Sequence, residues 1–364
     1  MDNTRSYAGK TVYMGIDVHK KTYCCVSVCD NEIIKRDTMP ADSEKLLQYM
    51  RKFFPGATIR SAYEAGFSGF HLHRYLKENG IHNIVVHPAS IEVSARDRVK
   101  TDKRDARKIA VQLEAQRLRG IFVPSIDQEA RRQITRLRTN FCKARTRVGA
   151  QLKSLLFTQG LIKGDDNSAI CKKWITNNLA KIETGNHPKE LCYAVKHYAI
   201  EWEALTEKMK EFQEQLKIQA SCEPAIHQIY ESVPGIGLIH ARQLANELGD
   251  MSQFPNEKKL FSYTGLTPSE YSSGEHVRQG HITRQGRSVI RRILVEAAWV
   301  AITKDPSLRE VYDRLSHRGG KRAIVGVARR LVGRIRSCVL NNKLYEISQP
   351  KDKESSQTTT CATS

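Results

Sequence analysis

Tyr13-Met14-Gly15-Ile16-Asp17 is an apolar run that stops on a carboxylate. Val12 to Ile16 crowd β-branched, aromatic and other apolar residues into a short segment, which predicts a buried strand. A charge at the end of such a strand is costly unless another group compensates it. Three further acids are candidates to share that position. Glu64 follows Ile59-Arg60-Ser61-Ala62-Tyr63, a second short strand ending in an acid. Asp102 and Asp105 lie three apart in Thr101-Asp102-Lys103-Arg104-Asp105-Ala106-Arg107, and so on one face of a helix. Carboxylates gathered from two strand ends and one helix face repel one another unless divalent cations lie between them. Hard oxygen ligands suit Mg²⁺ or Mn²⁺, and two such ions ~4 Å apart are the apparatus of phosphodiester chemistry. Each acid alone reads as a solvated or salt-bridged side chain. The ordered set predicts a metal site made of Asp17, Glu64, Asp102 and Asp105.

The charge balance points to a polyanionic partner. The 364 residues carry 59 Lys and Arg against 39 Asp and Glu, a formal +20, and an excess of that size favours nucleic acid through counterion release. Nine cysteines are scattered without a CxxC pair, which excludes a zinc ribbon and a disulfide framework. They are expected to be reduced thiols of a cytoplasmic, nucleoid-associated protein. Neither a secretory signal nor a long apolar run is evident, so no membrane partner is expected.

In chain order, residues 11–18, 22–29 and 32–38 read as three strands in a meander, with Asp30-Asn31 turning the second hairpin. A helix opens at Ala41-Asp42-Ser43-Glu44 and ends at Pro55-Gly56. Strand 59–63, a helix through Leu72 and Leu76, strand 84–86 and a helix from Asp102 to Leu118 complete the first domain, 11–120. Arg104 and Arg107 are candidate nucleic-acid contacts in its basic stretch. A spacer at 128–222 follows. Ile134, Leu137, Phe141, Ala144, Val148 and Leu155, then Val195, Tyr198, Trp202, Leu205, Met209, Phe212 and Leu216, hold the spacing of a coiled coil on either side of a polar break at 160–187. The helices pair internally or join two subunits. Arg131 and Arg138 on the first of them are candidate phosphate contacts.

The third domain is expected over 223–347 and to be mostly helical, followed by a disordered tail at 348–364. Ser232-Val233-Pro234-Gly235-Ile236-Gly237-Leu238 resembles a helix-hairpin-helix turn, in which Gly235 and Gly237 let backbone approach a phosphate. Phe261 to Gly274 reads as a loop, and Arg278, Arg284, Arg287, Arg291 and Arg292 follow it. Arginines fork onto phosphate oxygens and stabilise a phosphoryl-transfer transition state. On chemistry alone Ser272, Ser273 and Ser288 are equally candidates for a nucleophile there.

Three strands, then helix, strand, helix, strand, helix is the order of an RNase H-like domain. The sequence Gly15-Ile16-Asp17, Tyr63-Glu64-Ala65-Gly66 and Thr101-Asp102-x-x-Asp105-Ala106-Arg107 resembles the RuvC-like domain of the DEDD transposases of bacterial insertion sequences, the IS110 family. The Gly-Leu-Thr-Pro…Tyr-x-Ser-Gly pattern at 265–274 resembles that family's second domain. The resemblance spans about 11–345 and implies an α/β fold followed by α: RuvC-like domain, coiled-coil spacer and helical transposase domain. It implies that Ser273 is the nucleophile, joined to DNA as a phosphoserine, and that Asp17, Glu64, Asp102 and Asp105 bind Mg²⁺ or Mn²⁺. It also implies donor and target DNA as substrates, a bridge RNA as guide, assembly as a homodimer or homotetramer, and a composite of the acid cluster with Ser273. Two other readings stay open on the residues themselves: a RuvC-like structure-specific nuclease, and an architectural nucleic-acid-binding protein whose acids pair with neighbouring arginines.

Overall fold

The strand-and-helix order expected of the first domain is present in the computed structural model, which describes residues 6–92, 101–270, 279–317 and 319–348. The chain divides into two units, Met1–Pro124 and Ser125–Ser364. The first unit contains β1 (Thr11–Val18), β2 (Thr22–Cys29), β3 (Glu32–Pro40), α1 (Ser43–Phe53), β4 (Thr58–Glu64), α2 (His71–Glu78), β5 (His82–Val86) and α3 (Asp102–Glu114). Its sheet has the order β3-β2-β1-β4-β5. The three meander strands pair antiparallel, and β1, β4 and β5 run parallel. Asp30 and Asn31 both take positive φ, 54° and 63°, as a tight hairpin turn requires. Asp42 caps α1 by accepting the backbone N–H groups of Glu44 and Lys45.

Alternation along β1 separates two cores. Val12, Met14 and Ile16 face α1 and α2, where they pack with Leu46, Met50, Leu72 and Leu76. The other face carries Tyr13, Gly15 and Asp17 and receives α3. There Cys24, Val26 and Val28 pack against Ala106 and Ala110, while Ala62 and Val86 pack against Ile109 and Leu113. Gly15 sets how near α3 comes. A Cβ on it would lie 2.0 Å from the Ala106 carbonyl oxygen and 2.5 Å from the Ala110 backbone nitrogen. Only a residue without a side chain permits that approach. The expected extension of α3 to Leu118 is corrected: Gln116 at φ 56° ends the helix, and the Arg117 N–H turns back onto the Gln112 carbonyl. The freed chain pairs with the outer strand, through Val86↔Gly120 and the Ile121 N–H on the Val85 carbonyl.

The second unit contains α4 (Ile126–Thr158), α5 (Lys172–Thr184), α6 (Lys189–Cys222), α7 (Pro224–Glu231), α8 (Leu238–Leu248), α9 (Glu257–Thr264), β6 (Pro268–Glu270), β7 (Gln279–Ile282), α10 (Ser288–Lys304), α11 (Pro306–Ser316) and α12 (Gly320–Leu340). The spacer helices α4 and α6 pair with each other as an antiparallel hairpin. Phe141 meets Phe212 with ring centroids 5.2 Å apart, and Val148, Leu152 and Leu156 pack with Val195, Ala199 and Trp202. The expected polar break holds α5, whose buried Ile175, Asn178 and Ile182 recur at three and four residues among lysines and asparagines. The expected loop from Phe261 is also corrected. Phe261 to Thr264 finish α9, Gly265 caps it at φ 68°, and Pro268–Glu270 pairs with Gln279–Ile282. A core of Leu244, Ile293, Leu294, Ala297, Val327 and Leu331 joins α8, α10 and α12. Among the described residues no helix is long and apolar enough to cross a membrane. The expected tail beyond Ser348 lies outside the described residues.

Gly15→Ala should therefore lower stability by about 3 kcal/mol, the upper range for overpacking, because the added methyl meets helix backbone. Urea denaturation checks this. An unchanged midpoint would show that α3 docks without needing the glycine.

Candidate active site

Asp17 stands at the end of β1, two residues beyond Gly15 and therefore on the face that carries α3. Asp102 and Asp105 occupy the first turn of α3, just ahead of the Ala106 backbone that lies against Gly15. The positive end of the helix dipole favours acids in that turn. Parallel pairing of Ile16 with Tyr63 brings Glu64 level with Asp17 on the neighbouring strand and on the same face. The Glu64 side chain is exposed and is not among the charges that shift Asp17. Asp17, Asp102 and Asp105 are thus brought together, with Glu64 beside them at the end of β4.

A histidine that the sequence reading did not single out completes the cluster. His19 Nε2 lies 3.1 Å from Asp17 Oδ2 and 3.2 Å from Asp102 Oδ2, between two groups that can only accept when ionised. The signal for it was available: His19 follows Asp17 by two residues, the strand period that keeps side chains on one face. Ligand atoms of Asp17, His19 and Asp102 all lie within 4.8 Å of one another. Asp105 Oδ1 is 3.4 Å from Lys108 Nζ. Burial raises the Asp17 carboxyl above its ordinary range. His19 lowers it, and the charges of Asp102 and Asp105 raise it further.

The predicted phosphate contacts fare differently. Arg104 and Arg107 lie on α3 and are exposed. Arg131 pairs with Glu223 at 2.8 Å. Arg138 is half-buried, and its Nε has no hydrogen-bond partner among the described residues. Gly235 lies in the turn between α7 and α8. It takes φ 83°, and a Cβ there would lie 2.9 Å from the Ala297 Cα, so its bare face is spent on packing against α10. Gly237 opens α8 and has free space around it. Arg284 is exposed at φ 57°, and Arg287 caps α10 with its Nε 3.7 Å from Glu247 Oε2. Ser288 is the exposed first residue of α10. Ser272, Ser273 and Arg278 lie outside the described residues, in the segment between β6 and β7. Both stems of that segment are tied down: the Thr283 N–H donates to the Thr267 carbonyl, the Arg287 N–H to the Tyr263 carbonyl, and the Arg291 guanidinium to the Thr264 carbonyl.

Comparison with known proteins decides the family. Residues 14–158 match the DEDD transposase domain of IS110, described as a transposase, and residues 227–313 match the Transposase IS116/IS110/IS902 family. A protein of Sinorhizobium fredii named as a transposase, y4qE, is 31% identical over 300 residues, covering 74% of this chain and 73% of the relative. The chain belongs to the IS110 family of DEDD transposases. Other members it resembles are the transposase for insertion sequence element IS1533 of Leptospira borgpetersenii, 26% identical over 80% of this chain and 85% of that one, and the transposase for IS1111A of Coxiella burnetii, 23% identical over 63% and 62%.

A DEDD transposase domain implies a divalent cation, and the residues present fit one. Asp17, Asp102 and His19 converge on a single small volume, and burial makes the Asp17 carboxyl costlier to ionise than in water, a cost that a cation's charge would offset. A carboxyl whose folded value is raised contributes stability while protonated. That contribution is full below the ordinary value of 3.8 and is lost as pH rises through the raised value. In chelator, Asp17→Asn of this transposase should therefore melt higher than wild type at neutral pH, and the gap should shrink as pH falls toward 3.8. Thermal melting across pH measures this. An asparagine variant less stable at every pH would mean that the His19 contact outweighs burial.

Proposed function

We propose that this IS110-family transposase is a DNA recombinase that moves its own insertion sequence, using a divalent-metal site of Asp17, Glu64, Asp102 and Asp105 and the nucleophile Ser273. The observation that carries the reading is the convergence of Asp17, His19, Asp102 and Asp105 where β1 ends against α3, in a chain of this family. The division of labour we propose is a catalytic domain over 11–120, a spacer over 128–222 and a serine-bearing domain over 223–347.

Bound Mg²⁺ or Mn²⁺ would supply Lewis-acid stabilisation of phosphoryl oxygens. The chain supplies the rest. Ser273 Oγ bonds to phosphorus as the bond from phosphorus to one deoxyribose oxygen breaks, and that sugar leaves as a free hydroxyl. The phosphoserine ester keeps the bond energy, so a hydroxyl of the exchanged strand reverses the step and releases Ser273. Arg278, Arg284 and Arg287 follow Ser273 in the sequence, and guanidinium groups are donors suited to a crowded phosphate. A bridge RNA as guide and assembly as a homodimer or homotetramer belong to the same reading; the net charge of +20 supports a large nucleic-acid footprint.

A metal-dependent nuclease has one observation in its favour: the acids and His19 assemble wholly within the first unit. There a water would attack and no protein–DNA bond would form. Nicked DNA whose cleaved strand diffuses away separates the two. Wild type and Ser272→Ala should trap DNA in a denaturation-resistant adduct, and Ser273→Ala should trap none while binding DNA normally. Free ends without adduct, and cleavage intact in Ser273→Ala, would establish the nuclease. In either case Asp17→Asn and Asp105→Asn should slow cleavage by at least about a hundredfold while leaving DNA binding near wild type, as loss of a principal electrostatic group does. Wild-type rates in both would remove the acid cluster from catalysis.

A further inference from the structure

The helical hairpin of the second unit carries a half-open cavity of about 320 Å³ with several side-chain donors in its lining. Arg145, Gly149 and Lys153 of α4 line one side, Trp202 of α6 another, and Ser168 and Ile170 of the connecting segment the third. Trp202 is only 6% exposed as a residue, and its indole N–H, which meets no acceptor among the described residues, borders the cavity. The Arg145 guanidinium sits 5.5 Å from the Trp202 ring and has no ion pair among the described residues. Lys153 gives one hydrogen bond to the Ser168 carbonyl, 3.0 Å away, which leaves two N–H groups. Asp166 lies 4.0 Å from Lys153 and already accepts the Ser168 backbone N–H at 2.8 Å and the Trp174 indole at 3.4 Å.

Gly149 keeps this cavity open. It lies within the 33-residue α4, where glycine weakens a helix relative to alanine. A Cβ there would sit 3.1 Å from Ile170 Cδ1 and 3.4 Å from Trp202 Nε1 and Cδ1, covering the indole edge. Two cations and an N–H donor around a space beside an already engaged carboxylate make a receptor for a tetrahedral oxyanion. We infer that this cavity binds a backbone phosphate of nucleic acid. The source of the phosphate rests on the proposed function; the anion chemistry rests on the cavity.

The test uses the full chain, with a duplex DNA and a single-stranded RNA of matching sequence as probes, and fluorescence anisotropy over a range of salt. Arg145→Gln and Lys153→Gln should each weaken binding about tenfold and flatten the log–log salt dependence by about 0.9 on duplex or 0.7 on single strand, one phosphate contact apiece. Trp202→Phe should weaken binding several-fold with an unchanged slope, because a donor is lost but no charge. Lys208→Gln, which removes an exposed lysine already paired with Glu211, is the control and should bind as wild type does. If Trp202→Phe melts low, the two glutamine variants carry the test, since their side chains are only partly buried. An effect on DNA alone or RNA alone names the source, and an effect on both assigns the site to the shared phosphate. Wild-type affinity and slope in Arg145→Gln and Lys153→Gln would overturn the inference and leave the proposed function standing. A wild-type chain that binds neither probe would overturn both.

Discussion

Repulsion among Asp17, Asp102 and Asp105 is the constraint that the N-terminal unit has to satisfy. One acid comes from a strand end and two from a helix start, so the repulsion opposes the docking of α3 on the sheet. Apolar packing of Ala106, Ile109, Ala110 and Leu113 against the strands holds the helix down. Gly15 lets its backbone come to contact distance, and that contact brings the first turn of α3 beside Asp17. The helix dipole and His19 each relieve part of the charge. Burial of Asp17 keeps the rest, which is the condition under which a divalent cation binds most usefully.

A second charge centre organises the helical unit. Glu247, at the end of α8, is nearly buried and receives Arg136 through two hydrogen bonds of 2.8 and 3.1 Å, with Arg132 and Arg287 each 3.7 Å away. Arg132 also donates to the carbonyls of Asn246 and Glu247, which the end of α8 would otherwise leave unpaired. One carboxylate therefore fastens α4 to α8 and reaches the residue that caps α10. Because Arg287 also donates its backbone N–H to Tyr263, this centre fixes the base from which the Ser273 segment is hung. Removing one partner from such a buried group is costlier than the pair's net contribution.

The acids and the sheet that carries them were legible because their signals are local. Period-two alternation, an Asp-Asn turn and strands that end on acids each speak within a few residues. The helical hairpin was legible for the same reason, through its three-and-four spacing, although spacing alone left open whether α4 and α6 pair within one chain. What escaped depended on contacts distant in sequence. Gln116 ends α3 early because Gly120 and Ile121 are needed beside β5. The bare face of Gly235 packs against α10, more than sixty residues further along the chain, a contact that no local pattern shows. The contact of His19 with Asp102 joins the end of β1 to a helix far along the chain, and α5 was hidden by lysines and asparagines around its few buried side chains.

Direct metal binding tests the central claim that the strand-end and helix-start carboxylates form one cation site. Mn²⁺ titration of the full chain, followed by loss of the free aqua-ion signal in electron paramagnetic resonance, counts the ions bound and their affinity. Wild type should show saturable binding that is lost in Asp17→Asn and in Asp102→Asn, and weakened in His19→Ala and Glu64→Gln. Saturable binding of wild-type strength in both aspartate variants would contradict the account, since no cation site built on those carboxylates could survive their neutralisation.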